Sequence, residues 1–346
     1  MTDRVISIGL IGLGYWGPNL ARNFTANGAR LAWICDRDPD RCARAKKSFS
    51  ADKVTSNPDD LFSDPTLDAV AIATPVATHS ALALAALKAG KHVWVEKPMA
   101  GSVAECEEMV RVADAQKRVL MVDHTFIYSA AVRKLHELLI AEQLGDLLYV
   151  DSIRVNLGLV QSDVNVVWDL APHDLSIADY LLSPRLPRSV NAVGASHVTA
   201  TGERQETVAY VTVHYPGELI VHVNMSWLAP VKMRLTTIAG TKKLVAWNDL
   251  DPVEKIKVYD KGITASAPQG VSGEDRRKLL VEYRSGDIWS PVLEQTEPLA
   301  RAAREFIGSI IENRTPLTDG AAGLRVVRMI EAAQRSMASG GSSVAL

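Results

Sequence analysis

The chain has 346 residues, of which 47% are hydrophobic and 23% charged, a composition typical of globular proteins that excludes disordered and fibrous classes. Its length exceeds what one compact core usually holds, so two domains are expected. The formal charges sum to only −2, which disfavours a nucleic-acid partner, and the short basic run Arg276–Lys278 is expected to be an exposed patch.

The cysteines and the amino-terminal sequence indicate in which cellular compartment the protein is expected. Cys35, Cys42 and Cys106 are odd in number and lack CxxC spacing, so neither a disulfide framework nor a metal site is predicted. The apolar stretch Val5–Leu13 lacks the features of a signal peptide, and no stretch reaches the roughly 18 apolar residues of a membrane span. We therefore expect a cytoplasmic protein without a membrane partner.

Short apolar runs alternate with helical patterns through the first third of the chain, which is typical of βαβ units and a parallel sheet. Strands are predicted at Val5–Ile11, Arg30–Cys35, Asp68–Ala73, His92–Val95 and Arg118–Val122. Helices are predicted at Pro18–Asn27, Asp40–Phe49, His79–Ala89 and Ser102–Gln116, with a short one opening at Asn57. The pattern predicts a doubly wound Rossmann domain over residues 1–123.

Longer strands with period-two alternation predominate after residue 123. They are predicted at Leu147–Leu157, Ser189–Ala200, Glu206–Tyr215, Glu218–Leu228, Val231–Gly240 and Val253–Asp260, with a hairpin turn at Pro216–Gly217. Helices are predicted at Ala130–Glu142, Pro172–Leu182, Glu297–Glu312 and Asp319–Ser336, followed by a frayed tail at Ser339–Ser343. The fold class is therefore α/β, in which residues 124–346 form an α+β domain with a large open, mostly antiparallel sheet. An uncovered sheet face favours a homodimer or homotetramer.

A glycine-rich run, Gly12-Leu13-Gly14-Tyr15-Trp16-Gly17, lies between the first predicted strand and helix. Such glycines let backbone N–H groups approach a pyrophosphate, which the positive end of the helix stabilises. Asp36 follows 19 residues after Gly17, where a carboxylate accepts hydrogen bonds from ribose hydroxyls. A glycine turn with an unrelated strand-end acid is the alternative. NAD is favoured because Asp36 would repel the additional phosphate of NADP, although Arg37 could pair with that phosphate.

Glu96-Lys97-Pro98 follows a predicted parallel strand, at the sheet edge where open α/β sheets bind ligands. A lysine there, partly desolvated and beside a cationic nicotinamide ring, would suit proton transfer from an alcohol while hydride leaves. On these three residues alone, a surface lysine that ends a strand is an equally good interpretation.

A second cluster is Trp168-Asp169-Leu170-Ala171-Pro172-His173-Asp174. Pro172 is predicted in the first turn of a helix, which would place His173 near the helix amino terminus, where the dipole favours a neutral, proton-accepting imidazole. Asp169 could orient that imidazole or cap the helix. Taken alone, His173 is equally compatible with a structural role.

These motifs, together with Thr74-Pro75, His79 and the run from Gly90 to Val93, resemble the glucose-fructose oxidoreductase / inositol dehydrogenase / MocA family across the whole chain. The resemblance implies a Rossmann domain followed by an α+β domain that carries the substrate site. It implies that Lys97 is catalytic, that His173 is the acid/base, and that Asp169 assists it or contacts substrate. It also adds Thr74, Pro75, His79 and Glu96 to the cofactor site.

The stretches Asp123-His124-Thr125-Phe126, Asn156–Leu159 and Ser162–Asn165 are similar to family members described as nucleotide-sugar 3-dehydrogenases acting on UDP-N-acetylglucosamine or its uronate. The similarity implies that four residues contact the substrate: His124, Asn156, Asn165 and Trp168. For His124, the alternative is an ordinary residue at the end of a strand.

The expected reaction is oxidation of a pyranose hydroxyl, at C3 of such a nucleotide sugar, with hydride passing to nicotinamide C4. The alternatives are a dehydrogenase or reductase of inositol, a free sugar or a diketo-sugar, and a non-catalytic dinucleotide sensor. Such sensors can lose the lysine or histidine that this chain keeps. Hydrolases are not predicted, because the sequence has no GxSxG, HExxH or P-loop motif.

Overall fold

A computed structural model describes residues 4–158, 160, 164–198, 205–266 and 280–346. The basic run at 276–278, the end of the strand predicted to reach Ala200, and residues 161–163 lie outside the described residues. The chain forms two compact units, one of residues 1–130, 175–179 and 295–331 and one of residues 131–174, 180–294 and 332–346. The division of the sequence after residue 123 stays a prediction.

The first unit is built on a six-stranded sheet in which every strand pair is parallel. The strands are β1 (Ser7–Ile11), β2 (Arg30–Cys35), β3 (Lys53–Thr55), β4 (Ala69–Ile72), β5 (His92–Val95) and β6 (Leu120–Val122), in the order β3-β2-β1-β4-β5-β6. The helices between them are α1 (Gly17–Ala26), α2 (Pro39–Phe49), α3 (Asp59–Phe62), α4 (His79–Lys88) and α5 (Val103–Gln116). This confirms the doubly wound parallel sheet. The sequence pattern missed β3 because this three-residue strand has no buried apolar run.

The core of the first unit also uses residues from far along the chain. Phe24 of α1 packs edge-on to Trp94 at a ring-centroid distance of 5.2 Å, and Trp94 packs edge-on to Phe306 at 5.6 Å. Phe306 belongs to α8 (Pro298–Glu312), and all three rings are buried. Such aromatic pairs stabilise a core beyond the area that they bury. Residues from the carboxyl-terminal part of the chain are therefore structural in the first unit.

The second unit contains a nine-stranded sheet in the order β16-β13-β12-β11-β7-β10-β9-β8-β17. Its strands are β7 (Leu147–Leu157), β8 (Ser189–Ala195), β9 (Val208–His214), β10 (Ile220–Ser226), β11 (Leu228–Gly240), β12 (Leu244–Asn248), β13 (Ile256–Tyr259), β16 (Ile288–Trp289) and β17 (Val344–Ala345). A separate hairpin pairs β14 (Gly262–Ser266) with β15 (Leu280–Arg284). All neighbours in the large sheet are antiparallel except β7 and β10, which confirms the mostly antiparallel sheet. The remaining helices are α6 (Ala130–Ile140), α7 (Val166–Leu182) and α9 (Gly320–Ala338).

Two local predictions are wrong. Helix α7 begins at Val166 and not at Pro172, because the side chain of Asn165 caps it there. The segment predicted as a frayed tail is ordered, because Val344 pairs with Val190 of β8 and the Asn191 amide donates to the Gly341 carbonyl at 2.9 Å. The predicted turn at Pro216–Gly217 is confirmed, and Gly217 has a φ of 77° there.

Within the part of the chain that the structure describes, no helix is both long and apolar enough to cross a membrane. The three cysteines are buried and form no disulfide.

Candidate active site

The glycine loop after β1 has one position that is open and two that are crowded. Gly12 has a φ of +97°, and its N–H donates to the Cys35 carbonyl at 2.8 Å. A side chain at Gly17 would collide with the Gly12 carbonyl, whereas a Cβ at Gly14 would meet no described atom within 4 Å. Gly12 and Gly17 therefore allow the tight turn and the close packing of α1, and Gly14 keeps a space that a pyrophosphate can fill.

The amino terminus of α1 is suited to an anion. Trp16 occupies the cap position, and among the described residues no side chain caps the helix and no acidic residue lies in its first turn. The first N–H groups and the positive end of the dipole thus remain available to a phosphate. Tyr15, which is 83% exposed, lies edge-on to the Trp16 ring beside this terminus.

Asp36 follows β2 and holds the glycine loop. One carboxylate oxygen accepts from the Leu13 N–H at 2.6 Å, and the other accepts from the Asp38 N–H at 2.9 Å. Each oxygen keeps a further lone pair with which to accept from a ribose hydroxyl. Arg37 next to it is exposed. The loop, helix and carboxylate together fit NAD.

His79 joins two of the loops at this edge of the sheet. It is buried at the start of α4, with Nδ1 3.0 Å from the Pro98 carbonyl oxygen and Nε2 2.9 Å from the Thr74 carbonyl oxygen. The Thr74 hydroxyl is itself 2.7 Å from that of Thr78. Burial lowers the pKa of His79. His79 and Thr74 thus support the loops that follow β4 and β5, including the Lys97–Pro98 bond, which is cis.

Lys97 is half-buried and lies beside two buried carboxyl groups. Glu96 precedes it, and Asp123 follows β6, the strand that pairs with β5 in the sheet. Burial and the charge of Asp123 raise the pKa of Glu96 well above its usual value, and burial raises the pKa of Asp123 to about 6. The sequence analysis missed Asp123 because only the pairing of β5 with β6 brings it to Glu96.

His124 is 2% exposed, and neither of its ring nitrogens has a hydrogen-bond partner among the described residues. Burial and the charge of Lys97 lower the pKa of His124 to about 3, so its imidazole is neutral. The predicted substrate contact of His124 stays a prediction.

Asn165 caps helix α7, which explains why the helix begins earlier than expected. Its side-chain oxygen accepts from the N–H groups of Val167 and Trp168 at 3.1 and 3.2 Å, and its amide donates to Glu206 at 2.7 Å and to Gln334 at 2.6 Å. These contacts occupy both donors and both acceptor positions of the amide. Asn165 therefore has a structural role here, and its predicted substrate contact stays a prediction.

Asp169 and His173 lie four residues apart on α7, so they share one face of the helix. Asp169 does not cap this helix; its carboxylate accepts a hydrogen bond from the Trp227 indole N–H at 3.1 Å. Pro172 lies in the helix interior, which places His173 beyond the first turn, where the dipole has little effect. The dipole argument for a neutral His173 is therefore wrong.

Trp227 is a supporting residue that the sequence analysis missed. It is buried, and a side chain at Gly158 would collide with its ring, so Gly158 gives it room. Trp168 and Asn156, two predicted substrate contacts, are half-buried on α7 and β7 of the same unit. Nothing local in the sequence links Trp227 to Asp169, since 58 residues separate them.

Among the described residues, no cluster of three or more histidine, cysteine, aspartate or glutamate side chains could hold a metal ion. The glycine loop, the amino terminus of α1 and Asp36 of the first unit are arranged to bind a dinucleotide.

The fold and the dinucleotide site define an NAD-dependent oxidoreductase. Residues 6–124 match the oxidoreductase family with an NAD-binding Rossmann fold, and residues 132–246 match the GFO/IDH/MocA carboxyl-terminal domain. The chain belongs to the Gfo/Idh/MocA family.

Its relatives include dehydrogenases of different sugars and cyclitols. The chain is 26% identical over 320 residues to UDP-N-acetylglucosamine 3-dehydrogenase of Acidithiobacillus ferrooxidans, covering 92% of this chain and 93% of that one. It is 28% identical over 290 residues to inositol 2-dehydrogenase of Acidothermus cellulolyticus, covering 82% and 81%. The solved structure of GenD2 from gentamicin A biosynthesis, in complex with NAD, superposes with a TM-score of 0.82 at 23% identity, covering 100% of this chain and 97% of that one.

Proposed function

We propose that this protein oxidises a pyranose hydroxyl to a ketone, at C3 of a UDP-N-acetylhexosamine-type nucleotide sugar. The observation that carries the proposal is the Asp169–His173 pair on one face of α7, in a chain that also keeps Lys97 after a strand of the NAD-binding sheet. The similarity to a UDP-N-acetylglucosamine 3-dehydrogenase over nearly the whole chain supports the choice of substrate.

The side chains have separate roles in this proposal. His173 accepts the proton of the substrate hydroxyl, and Lys97 polarises the same oxygen. Asp169, held by Trp227, orients His173 or a sugar hydroxyl. The glycine loop and Asp36 would hold NAD, which when bound would supply the hydride acceptor, nicotinamide C4.

Two alternatives remain distinct from this proposal. The relationship to an inositol 2-dehydrogenase makes a cyclitol or free sugar the second candidate substrate, with the same residues in the same roles. A dinucleotide sensor without catalysis is the third, and the presence of both Lys97 and His173 argues against it.

The test is to incubate the protein with NAD and, in turn, UDP-N-acetylglucosamine, its uronate and myo-inositol, with a ketone trap present. Formation of reduced nicotinamide is followed together with the mass of the product. We expect a nucleotide sugar to lose two hydrogen atoms. Lys97→Met and His173→Ala should each lower kcat by about 10²- to 10⁴-fold, while Lys97→Met still binds NAD.

The exposed Lys88 of α4 provides the matched control, since Lys88→Met removes an equivalent charge from the same unit. If myo-inositol alone is oxidised, the substrate is a cyclitol and not a nucleotide sugar. Tight NAD binding without oxidation of any of the three would contradict the proposal and favour the sensor.

A further inference from the structure

A buried ion pair joins helix α7 to the large sheet at the residue that follows His173. The carboxylate of Asp174 on α7 accepts two hydrogen bonds from Arg154 of β7, one from Nε at 2.5 Å and one from Nη2 at 3.2 Å. Only 4% and 5% of the two side chains are exposed. A guanidinium and a carboxylate joined by two hydrogen bonds fix each other's orientation as well as their distance.

Two hydroxyl groups extend this ion pair to a second strand. Ser152 of β7 donates to Asp174 Oδ1 at 2.8 Å, and its oxygen lies 2.9 Å from the hydroxyl oxygen of Thr236 on β11. Because Ser152 has one hydroxyl hydrogen and gives it to the carboxylate, the Thr236 hydroxyl is the donor to Ser152. Ser152 and Thr236 are buried and lie opposite each other in the pair of β7 and β11. We call Asp174, Arg154, Ser152 and Thr236 the Asp174 cluster.

Helix α7 has a second polar contact on the other side of His173 along the chain. Asp169 accepts from the indole N–H of Trp227, which lies between β10 and β11, at 3.1 Å. The backbone of Trp227 is itself fixed, because its N–H donates to the Thr207 carbonyl at 3.0 Å and its carbonyl accepts from the Gly158 N–H at 2.9 Å. His173 therefore lies between two directional contacts of the same helix.

Apolar packing alone would not hold α7 at one position. Val167 and Ala171 are buried, but hydrophobic contacts have no direction and tolerate a shift of the helix along or about its axis. Neighbouring residues of an α-helix are separated by about 1.5 Å and about 100°, so contacts that fix Asp174 also fix the backbone of His173.

We propose that Asp174 is a positioning residue, which through the Asp174 cluster fixes α7 on the sheet and thereby sets the place of the His173 imidazole. A buried ion pair adds little net stability, because both charges lose their water, whereas its directional bonds specify one arrangement of the helix. The catalytic consequence rests on the proposed function, but the position of His173 does not.

Thr236 allows the mildest test of the cluster. Thr236→Val removes the hydroxyl and keeps the shape of the side chain, and Thr236→Ser keeps the hydroxyl. Both variants are expected to fold, as is the matched control Thr237→Val, because valine suits a strand. Thr237 is the next residue of β11, so its side chain points to the opposite face of the sheet. Ser152→Ala and Asp174→Asn remove the more central contacts.

The position of His173 can be measured without any sugar. The protein is treated with diethyl pyrocarbonate, and modification of His173 is quantified by peptide mass spectrometry, with the exposed His197 as the internal reference. Each lost hydrogen bond lets α7 leave its place more often. Ser152→Ala and Thr236→Val should therefore raise the modification rate of His173 by about 2- to 10-fold. Thr236→Ser and Thr237→Val should give the wild-type rate.

Steady-state kinetics with the sugar that the protein oxidises measure the catalytic consequence. A displaced base slows the chemical step and has little effect on binding. Ser152→Ala should therefore lower kcat by about 10-fold and Asp174→Asn by about 100-fold, with the KM values for NAD and the sugar close to those of the wild type. Thr236→Ser should keep the kcat that Thr236→Val loses. The assays are run well below the Tm of each variant, so that unfolding does not contribute.

A wild-type modification rate of His173 in both Ser152→Ala and Thr236→Val would overturn the positioning role, and so would a wild-type kcat in folded Asp174→Asn. If Asp174→Asn did not fold, the two substitutions of Thr236 would decide. If the wild type oxidised no sugar while the reactivity of His173 changed as expected, only the proposed function would fail.

Discussion

At the residue scale, the Asp36 carboxylate has two roles. It holds the glycine loop through the Leu13 N–H and presents its carboxylate where the ribose of NAD is expected. Hydrogen bonds to a charged group contribute about 1.5 to 3 kcal/mol. Asp36→Ala should therefore raise the Kd of NAD by about 10- to 150-fold. It should also reduce the preference for NAD over NADP, because the Asp36 carboxylate no longer repels the additional phosphate of NADP.

Titration calorimetry with NAD and NADP measures both effects. Asp40→Ala is the matched control, since Asp40 is an exposed carboxylate in the first turn of α2. If Asp36→Ala bound NAD as tightly as Asp40→Ala does, the ribose contact would be ruled out.

At the scale of single elements, helix α7 depends on Asn165. Asn165→Ala removes the cap, worth about 1 kcal/mol, and the hydrogen bonds that the half-buried Glu206 and Gln334 side chains accept, worth about 0.5 to 1.5 kcal/mol each. Because α7 carries Asp169 and His173, both the free energy of unfolding and kcat should fall.

Chemical denaturation and steady-state kinetics measure these losses. Asn224→Ala is the control, since Asn224 is a half-buried asparagine on β10 of the same unit. Equal stability of the two variants would contradict the capping role.

Helix α7 also shows which features of the structure could not be predicted from the sequence. Elements with a strong local pattern were predicted closely, and β2, β5 and β7 have the predicted bounds. The start of α7 was misplaced because Pro172 fits the first turn of a helix equally well, and only the contacts of Asn165 show the true start. Glu96, Lys97 and the glycine loop could be found as motifs, whereas Asp123 and Trp227 act through pairings between distant segments that no local pattern encodes.

At the scale of the whole molecule, the contribution of residues 295–331 to the first unit could not be predicted either. Phe306 of α8 completes an aromatic cluster with Phe24 and Trp94, although more than 200 residues separate it from them. Hydrophobic periodicity shows that α8 has a buried face but does not show which surface covers that face.

The large sheet supports the remaining prediction, a homodimer or homotetramer. Ile220 is opposite Tyr149, and Val193 is opposite Tyr210. Tyr210 is also opposite Asn224, which shares a face of β10 with Ile220, so the side chains of these two pairs lie on one face of the sheet. Tyr149, Val193, Tyr210 and Ile220 are 40%, 53%, 43% and 39% exposed, and large exposed side chains along one sheet face are typical of an interface between proteins.

We propose that a second copy of the chain covers this face. Light scattering should give the mass of two or four chains for the wild type. The double substitution Tyr210→Lys with Ile220→Lys should give the mass of one chain, because like charges buried in an interface without a partner are strongly unfavourable. Leu186→Lys is the control, since Leu186 is 61% exposed and lies outside the sheet. A wild type with the mass of one chain would contradict the prediction. If the double variant remains an oligomer, another surface of the protein forms the interface.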